Sequence, residues 1–124
     1  MPQYMLLLYA PDAGEAGARD RWDELPLWQE VTESLREAGV LVANAPLHPA
    51  SSATTVRVRG GGAELTDGPF ATTKEILAGY YLLDCVDLDE ALRHAARLPM
   101  ARYGCVEVRP VMDADAIRRA VASQ

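Results

Sequence analysis

Apolar runs alternate with amphipathic stretches along this chain. Residues 3–9, 40–43 and 79–84 are apolar without a helical period, which predicts strands that are buried on both faces. Residues 23–38 and 88–98 instead place apolar side chains at intervals of three and four, which predicts two amphipathic helices. The pattern therefore predicts a mixed α+β protein.

The middle and the end of the chain carry further elements. Residues 55–59 alternate between polar and apolar, and a triple-glycine turn leads into residues 63–66, which predicts a hairpin inserted between strands. Residues 104–109 alternate in the same way and predict the last strand. A C-terminal helical extension is expected within residues 111–124, starting near Asp113.

The predicted order is β-α-β-(β-β)-β-α-β-α in a single domain spanning residues 1–124. A split βαβ pair around an antiparallel sheet is the ferredoxin-like arrangement. Two helices cover one face of such a sheet, yet three strands are apolar on both faces. We therefore expect a second copy to pack against the uncovered face, which predicts a homodimer.

The net charge and the N-terminal sequence argue against several classes of binding partner and against export. The 124 residues include 18 acidic and 12 basic side chains, a net charge of −6, which argues against binding to nucleic acid or to anionic membranes. The first apolar run is too short for a signal peptide or a membrane span. We expect a cytoplasmic protein in which Cys85 and Cys105 are reduced core thiols rather than a disulfide.

The densest polar cluster beside an apolar strand is the segment 67–75, DGPFATTKE. If Pro69 and Phe70 fold this loop inward, Asp67 lies at the mouth of the sheet, where apolar walls raise the pKa of a carboxyl into the range of a general acid or base. Lys74 would then pair with Asp67 or hold an anionic substrate. The alternative is a solvated turn of ordinary kind.

Other candidate groups are scattered. His48 lies in a loop between two prolines and is a candidate proton-transfer group, although a plain loop histidine is the simpler interpretation. Glu107 and Arg109 point to one face of the last strand, as an ion pair or as an anion-binding arginine. Tyr80 and Tyr81 point to opposite faces, so at most one of them serves a pocket.

No signature of a bound cofactor is present. The two histidines and two cysteines show no HxH, HxxxH or CxxC spacing, so no metal site is predicted. The triple glycine is not followed by the Lys-Ser/Thr pair of a phosphate-binding loop, and no dinucleotide-binding motif occurs. We predict no cofactor.

Several segments together resemble the YCII-related domain family, and the nine-residue block resembles its DGPF-motif branch. They are YMLLLY (4–9), AGVL (38–41), ATTVR (53–57), DGPFATTKE (67–75), GYYLLD (79–84), DLDEA (87–91) and VEVRP (106–110). The resemblance implies a ferredoxin-like fold that dimerises sheet to sheet into an α/β barrel, with a cleft at the dimer interface. It also implies lyase or isomerase chemistry on small molecules, and a link to sigma factors of RNA polymerase.

Only Asp67, Lys74 and Glu75 lie on the family's motif itself. Relatives with a proposed His-Asp pair carry the histidine on the first helix, and here residues 23–38 contain none. The predicted catalytic residues are Asp67, Lys74 and His48. The predicted substrate contacts are Phe70, Glu75, Tyr81, Glu107 and Arg109.

Three functions stay open from the sequence. The first is a small-molecule enzyme that uses Asp67 as acid or base, and the second is a non-catalytic dimer that binds a ligand or a regulatory partner. The third is a structural homodimer in which the polar segment 67–75 only holds the interface together. Whether Asp67 is buried beside a cavity or exposed on a turn distinguishes them.

Overall fold

A computed structural model describes residues 1–14, 17, 21–70 and 74–124 of the chain. Residues 15, 16 and 18–20, and residues 71–73 of the polar segment 67–75, lie outside the described residues. The strands and helices are β1 (Gln3–Pro11), α1 (Leu25–Glu37), β2 (Leu41–Pro46), β3 (Thr54–Arg59), β4 (Gly62–Asp67), β5 (Glu75–Asp84), α2 (Leu88–Ala96), β6 (Cys105–Pro110) and α3 (Ala114–Ala122). Short 3-10 helices occupy Arg21–Glu24, Ala50–Ser52 and Pro99–Arg102.

The main sheet has four strands in the order β2-β5-β1-β6, and every neighbouring pair is antiparallel. The unit β1-α1-β2 is split by β5, and the unit β5-α2-β6 is split by β1. This topology fits the predicted ferredoxin-like arrangement. All four strands of the predicted sheet are present, and β1 and β5 each extend beyond their predicted bounds.

The core lies between the sheet and helices α1 and α2. Its largest fully buried side chains include one leucine each from β1, α1, β5 and the segment just after α2: Leu6, Leu35, Leu83 and Leu98. The hydroxyl groups of Thr32 and Tyr81 lie 2.6 Å apart, and the rings of Trp28 and Tyr81 stack. Helix α1 is thus fixed to β5 by both packing and a hydrogen bond.

Helix α2 begins as its sequence predicts. The side chain of Asp87 accepts a hydrogen bond from the backbone N–H of Glu90, and the Glu90 carboxylate accepts one from the N–H of Val86 at 2.8 Å. This reciprocal capping satisfies backbone donors that the first turn leaves unpaired.

The opposite face of the sheet, here called the open face, carries no helix of the described chain. The pairing register places these side chains on it: Met5, Leu7, Tyr9, Ala43, Ala45, Tyr80, Leu82, Cys105, Glu107 and Arg109. Its central apolar residues are only partly buried.

Strands β3 and β4 form a separate two-stranded antiparallel sheet between β2 and β5 in the chain. Its apolar side chains Val56, Val58 and Leu65 are each at least 60% exposed. The end of this hairpin is held to its start, because Gly68 donates its N–H to the Ala53 carbonyl at 2.7 Å. The hairpin therefore projects apolar surface into solvent.

The C-terminal helix begins after Asp113, as predicted, and the Asp113 side chain accepts hydrogen bonds from the N–H groups of Asp115 and Ala116. All residues of α3 are exposed. Its apolar side chains, Ile117 and Val121, do not pack against the hydrophobic core in the described part of the chain. No helix in the described ranges combines the length and the apolar character needed to cross a membrane.

Both cysteines are free, but their environments differ from the prediction of two core thiols. Cys85 is completely buried and Cys105 is exposed. The prediction was wrong for Cys105 because β6 is an edge strand, and the face on which Cys105 lies has no covering element.

Candidate functional site

A groove of about 710 Å³ lies between one end of the main sheet and the base of the hairpin. Three segments line it: the end of β1 with the start of β5, the loop from Leu47 to Thr55, and the turn at Pro69 and Phe70. Most of the lining is apolar, and Tyr9, His48 and Glu75 are its largest polar side chains. A mostly apolar recess of this size with a few polar groups is typical of a small-molecule site.

Three residues predicted from the sequence line this groove together. His48 reaches it from the loop after β2, Phe70 from the turn after β4, and Glu75 from the first position of β5. Phe70 is 80% exposed in the single chain, so its ring forms an outer wall rather than part of the core. The proline-flanked loop around His48 is held to the sheet by the Leu47 N–H, which donates to the Ala78 carbonyl at 2.8 Å.

Polar side chains continue from the groove onto the open face. The Cys105 thiol donates a hydrogen bond to the Glu75 carboxylate at 3.3 Å, and that bond raises the pKa of Cys105. Burial, followed by the charge of Glu107 and a hydrogen bond to it, raises the pKa of Tyr9. Tyr9 and Cys105 therefore stay protonated at neutral pH and are hydrogen-bond donors to the two carboxylates.

A glycine makes this arrangement possible. A Cβ added at Gly104 would lie 2.0 Å from the Tyr9 carbonyl oxygen, which no side-chain-bearing residue can accommodate without backbone movement. The close approach lets β6 begin beside the end of β1, with Cys105 directly opposite Tyr9. Gly104 thus brings the thiol to the edge of the groove.

Asp67 and Lys74 are not among the residues that line the groove. Asp67 is exposed at the end of β4, and Gly68 after it adopts a φ of +96°, which favours glycine. Thr55 donates its hydroxyl to the Gly68 carbonyl at 2.7 Å, which joins this turn to the start of β3. Within the single chain, Asp67 therefore matches the exposed-turn alternative, and apolar walls do not enclose it.

The remaining predicted contacts are separated by the sheet. Tyr81 is 4% exposed and faces the helices, while Tyr80 faces the open side. Glu107 and Arg109 lie on the open face and are exposed, as the alternation of β6 predicts. Among the residues that the structure describes, salt bridges join Arg36 to Glu33 and Arg118 to Asp115, and none joins Glu107 to Arg109.

Sequence reasoning missed a second cluster. Cys85, Glu90 and His94 bring one sulfur, one carboxylate oxygen and one ring nitrogen to within 4.8 Å of one another. The common metal-binding sequence motifs pair two histidines or two cysteines. Here the three ligand types differ, and they come from a strand end and a helix. A glutamate and a histidine four residues apart on α2, just after a buried cysteine, were the available signal.

A known protein family matches most of this chain. The sequence pattern of the YCII-related domain matches residues 3–115, and the chain belongs to this family. An uncharacterised protein of Rhizobium meliloti (strain 1021) is 49% identical over 77 residues, which is 60% of this chain and 62% of that protein. The match thus spans less than two thirds of the relative's length.

Proposed function

We propose that this protein is a homodimer that binds a small organic molecule in the groove between the sheet end and the hairpin. The observation that carries the proposal is the convergence of His48, Phe70 and Glu75 on one recess of about 710 Å³ from three separate segments. The recess offers apolar walls for a ring and hydrogen-bonding groups at one side. These are the requirements for orienting a small ligand.

The charges around the groove favour one class of ligand. Glu75 is the charged side chain among the described lining residues; Glu107 and Arg109, which both act on the lining residue Tyr9, lie on the open face with opposite charges. A carboxylate repels anionic ligands, whereas it accepts hydrogen bonds from hydroxyl groups. Phe70, Leu47 and Leu77 supply flat or aliphatic surface. The groove therefore suits a neutral hydroxylated ring compound or a lactone better than a nucleotide or a simple organic acid.

The homodimer is supported by the distribution of apolar surface. The open face of the sheet, the hairpin and the apolar side of α3 are all uncovered in the single chain. Monomeric soluble proteins rarely expose apolar patches of such extent. A second copy packed face to face on the open side would cover the sheet, and the groove opens at the margin of that surface. The sheet-to-sheet barrel expected for the DGPF branch would bury the apolar residues of the open face.

Proton-transfer chemistry of the lyase or isomerase type is the second candidate. It is favoured by the presence of Glu75, Tyr9 and His48 on the same groove, since these side chains can accept and donate protons. The acid/base role predicted for Asp67 and the supporting role of Lys74 would require the second copy to enclose the hairpin end. In the single chain the carboxylate of Asp67 is open to water.

A thermal-shift screen tests the proposal. The panel holds phenols, hydroxylated rings and lactones, with nucleotides and simple organic acids as the contrasting classes. A ligand at about 100 times its dissociation constant stabilises the protein by about 2.7 kcal/mol, which raises the melting temperature by several degrees. We expect stabilisation by neutral ring compounds, and a smaller shift in His48→Asn.

The controls separate binding from catalysis. For each compound that binds, deuterium exchange into the ligand is followed by NMR with wild type, Asp67→Asn and the matched variant Asp113→Asn, which keeps a helix-capping side chain. Exchange with the wild type supports proton transfer, and its loss in Asp67→Asn but not in Asp113→Asn supports the acid/base role of Asp67. Binding without exchange supports the ligand-binding module. A flat screen contradicts the groove as a small-molecule site and directs the search to a protein partner such as a sigma factor.

A further inference from the structure

A cluster separate from the groove joins the end of β5 to helix α2. Cys85 follows the last residue of β5, and its backbone N–H is fixed by the Pro2 carbonyl at 3.0 Å. Glu90 and His94 lie one helical turn apart on α2, so their side chains share a face. One ligand atom from each of the three residues falls within 4.8 Å of the others.

The cluster leaves one buried ring nitrogen without a partner. Cys85 is 0% exposed, and its thiol donates a hydrogen bond to the Glu90 carboxylate. The Nε2 atom of His94 is buried and has no hydrogen-bond partner within the described chain. Buried polar atoms without a partner are rare in folded proteins and call for an explanation, such as an ion.

The other atoms of the cluster are held in place. One carboxylate oxygen of Glu90 accepts from the Val86 N–H at 2.8 Å, which fixes the carboxylate. The carboxylate also accepts from the Cys85 thiol, whose proton a bound ion would replace. On the outer side of the His94 ring, Nδ1 lies 3.5 Å from the exposed guanidinium of Arg97. That guanidinium also donates to the Ser34 hydroxyl at 2.6 Å, so it can release Nδ1 without losing its own support.

We propose that Cys85, Glu90 and His94 bind a divalent transition-metal ion of the zinc class. A thiolate, an imidazole nitrogen and a carboxylate oxygen are the three ligand types that zinc takes in proteins. Binding replaces the thiol proton of Cys85, which passes to the buffer, and His94 ligates through Nε2 as the neutral ring with its proton on Nδ1. A water molecule fills the fourth position of the tetrahedral ion.

The electrostatic surroundings are consistent with a cation. Burial is the main cause that lowers the pKa of His94; the charge of Glu90 opposes this shift, and the charges of Arg97 and Arg93 add to it, so the ring is neutral near pH 7. Burial, followed by the charge and hydrogen bond of Glu90 and the charges of Asp84 and Asp87, raises the pKa of Cys85 to about 11, so an ion must displace the thiol proton. An ion would be compensated by these carboxylates and would tie the first turn of α2 to the end of β5.

Cobalt(II) is the probe that tests this site in the full chain after treatment with a chelator. A thiolate ligand gives cobalt an intense charge-transfer band in the near ultraviolet, which neither oxygen nor nitrogen ligands produce. We expect the band to appear with one equivalent of cobalt, and to be displaced by zinc. We also expect zinc to raise the melting temperature of the wild type.

Four variants locate the ion. Cys85→Ser should abolish the band, whereas Cys105→Ser, the matched thiol control beside Glu75, should keep it. Glu90→Gln retains an oxygen for the Val86 N–H but removes the carboxylate, and His94→Gln changes a partly exposed side chain, so both should fold. Each should weaken zinc binding at least about 100-fold, since loss of even an outer-shell partner costs 10–100-fold.

Three results overturn the proposal. The first is no charge-transfer band in the folded wild type, and the second is a band that survives in Cys85→Ser. The third is loss of the band in Cys105→Ser, which would move the ion to the Glu75 side. If Cys85→Ser does not fold, unchanged zinc affinity in the folded Glu90→Gln and His94→Gln proteins overturns it equally.

Discussion

The hydroxyl oxygens of Thr32 on α1 and Tyr81 on β5 lie 2.6 Å apart, and this bond crosses the interface between helix and sheet. Tyr81 is almost fully buried, so its hydroxyl depends on this partner. The stacked ring of Trp28, whose centroid is 6.2 Å away, closes the same region. Tyr81 therefore contributes to the packing of α1.

Loss of this hydrogen bond should lower the free energy of unfolding by a measurable amount. Tyr81→Phe should lower the free energy of unfolding in urea by about 1 kcal/mol, and Thr32→Val by about 1–3 kcal/mol because it strands a buried hydroxyl. The double variant should lose less than the sum. Thr66→Val removes a hydroxyl at an exposed position of β4 and should change stability by less than about 0.5 kcal/mol. A loss at Thr66→Val equal to that at Thr32→Val contradicts this account.

The close approach of β6 to β1 predicts a second effect. Gly104→Ala places a methyl group 2.0 Å from the Tyr9 carbonyl oxygen and should destabilise the protein by about 1–3 kcal/mol. Gly62→Ala is the matched control, because the nearest atom to its added Cβ is 4.0 Å away. Urea unfolding of the two proteins compares them. If Gly104→Ala is as stable as Gly62→Ala, the strand start is not fixed by this contact.

Tyr103 predicts a dependence of stability on alkaline pH. Burial, followed by a hydrogen bond to Glu24 at 2.9 Å, raises its pKa from 10.0 to about 12. Because the folded pKa lies above the unfolded one, the stabilisation is complete below pH 10 and is lost as the pH rises toward 12. The difference in tyrosinate absorbance between wild type and Tyr103→Phe measures this titration, and Glu24→Gln should shift it to lower pH. A Tyr103 that ionises near the ordinary tyrosine pKa of 10.0 contradicts the prediction.

The open face predicts the oligomeric state. Leu82 lies at its centre, opposite Met5 and Ala43. Leu82→Lys should convert a dimer to a monomer in light scattering, since it places a charge in the face-to-face contact. Leu92→Lys on the exposed side of α2 is the control and should leave the dimer intact. A wild type that scatters as a monomer, or a dimer broken only by Leu92→Lys, would exclude the open face as the interface.

Local sequence patterns predict much of this fold. The apolar runs define β1 and β5, the helical spacing defines α1, and the capping residues Asp87 and Asp113 mark the starts of α2 and α3. Cys105 was misassigned to the core because alternation reports which residues share a face. It does not report whether that face is covered.

The site was less predictable, because it depends on tertiary placement. Phe70 and Glu75 stand out in one block of sequence, yet their meeting with His48 depends on how the loop after β2 returns to β5. Asp67 is in the same block and still lies outside the groove, at the exposed end of β4. The Cys85, Glu90 and His94 cluster depends on the angle at which α2 leaves the sheet, which spacing alone does not encode.

The chain contains two histidines, His48 in the groove and His94 in the separate cluster, so their ring signals in NMR report on two different places. The most direct measurement adds the compound with the largest thermal shift to the metal-free protein and follows both signals. The account predicts that the His48 signal moves in proportion to occupancy while that of His94 stays fixed. A ligand that binds without changing the His48 signal would contradict the groove as the functional site.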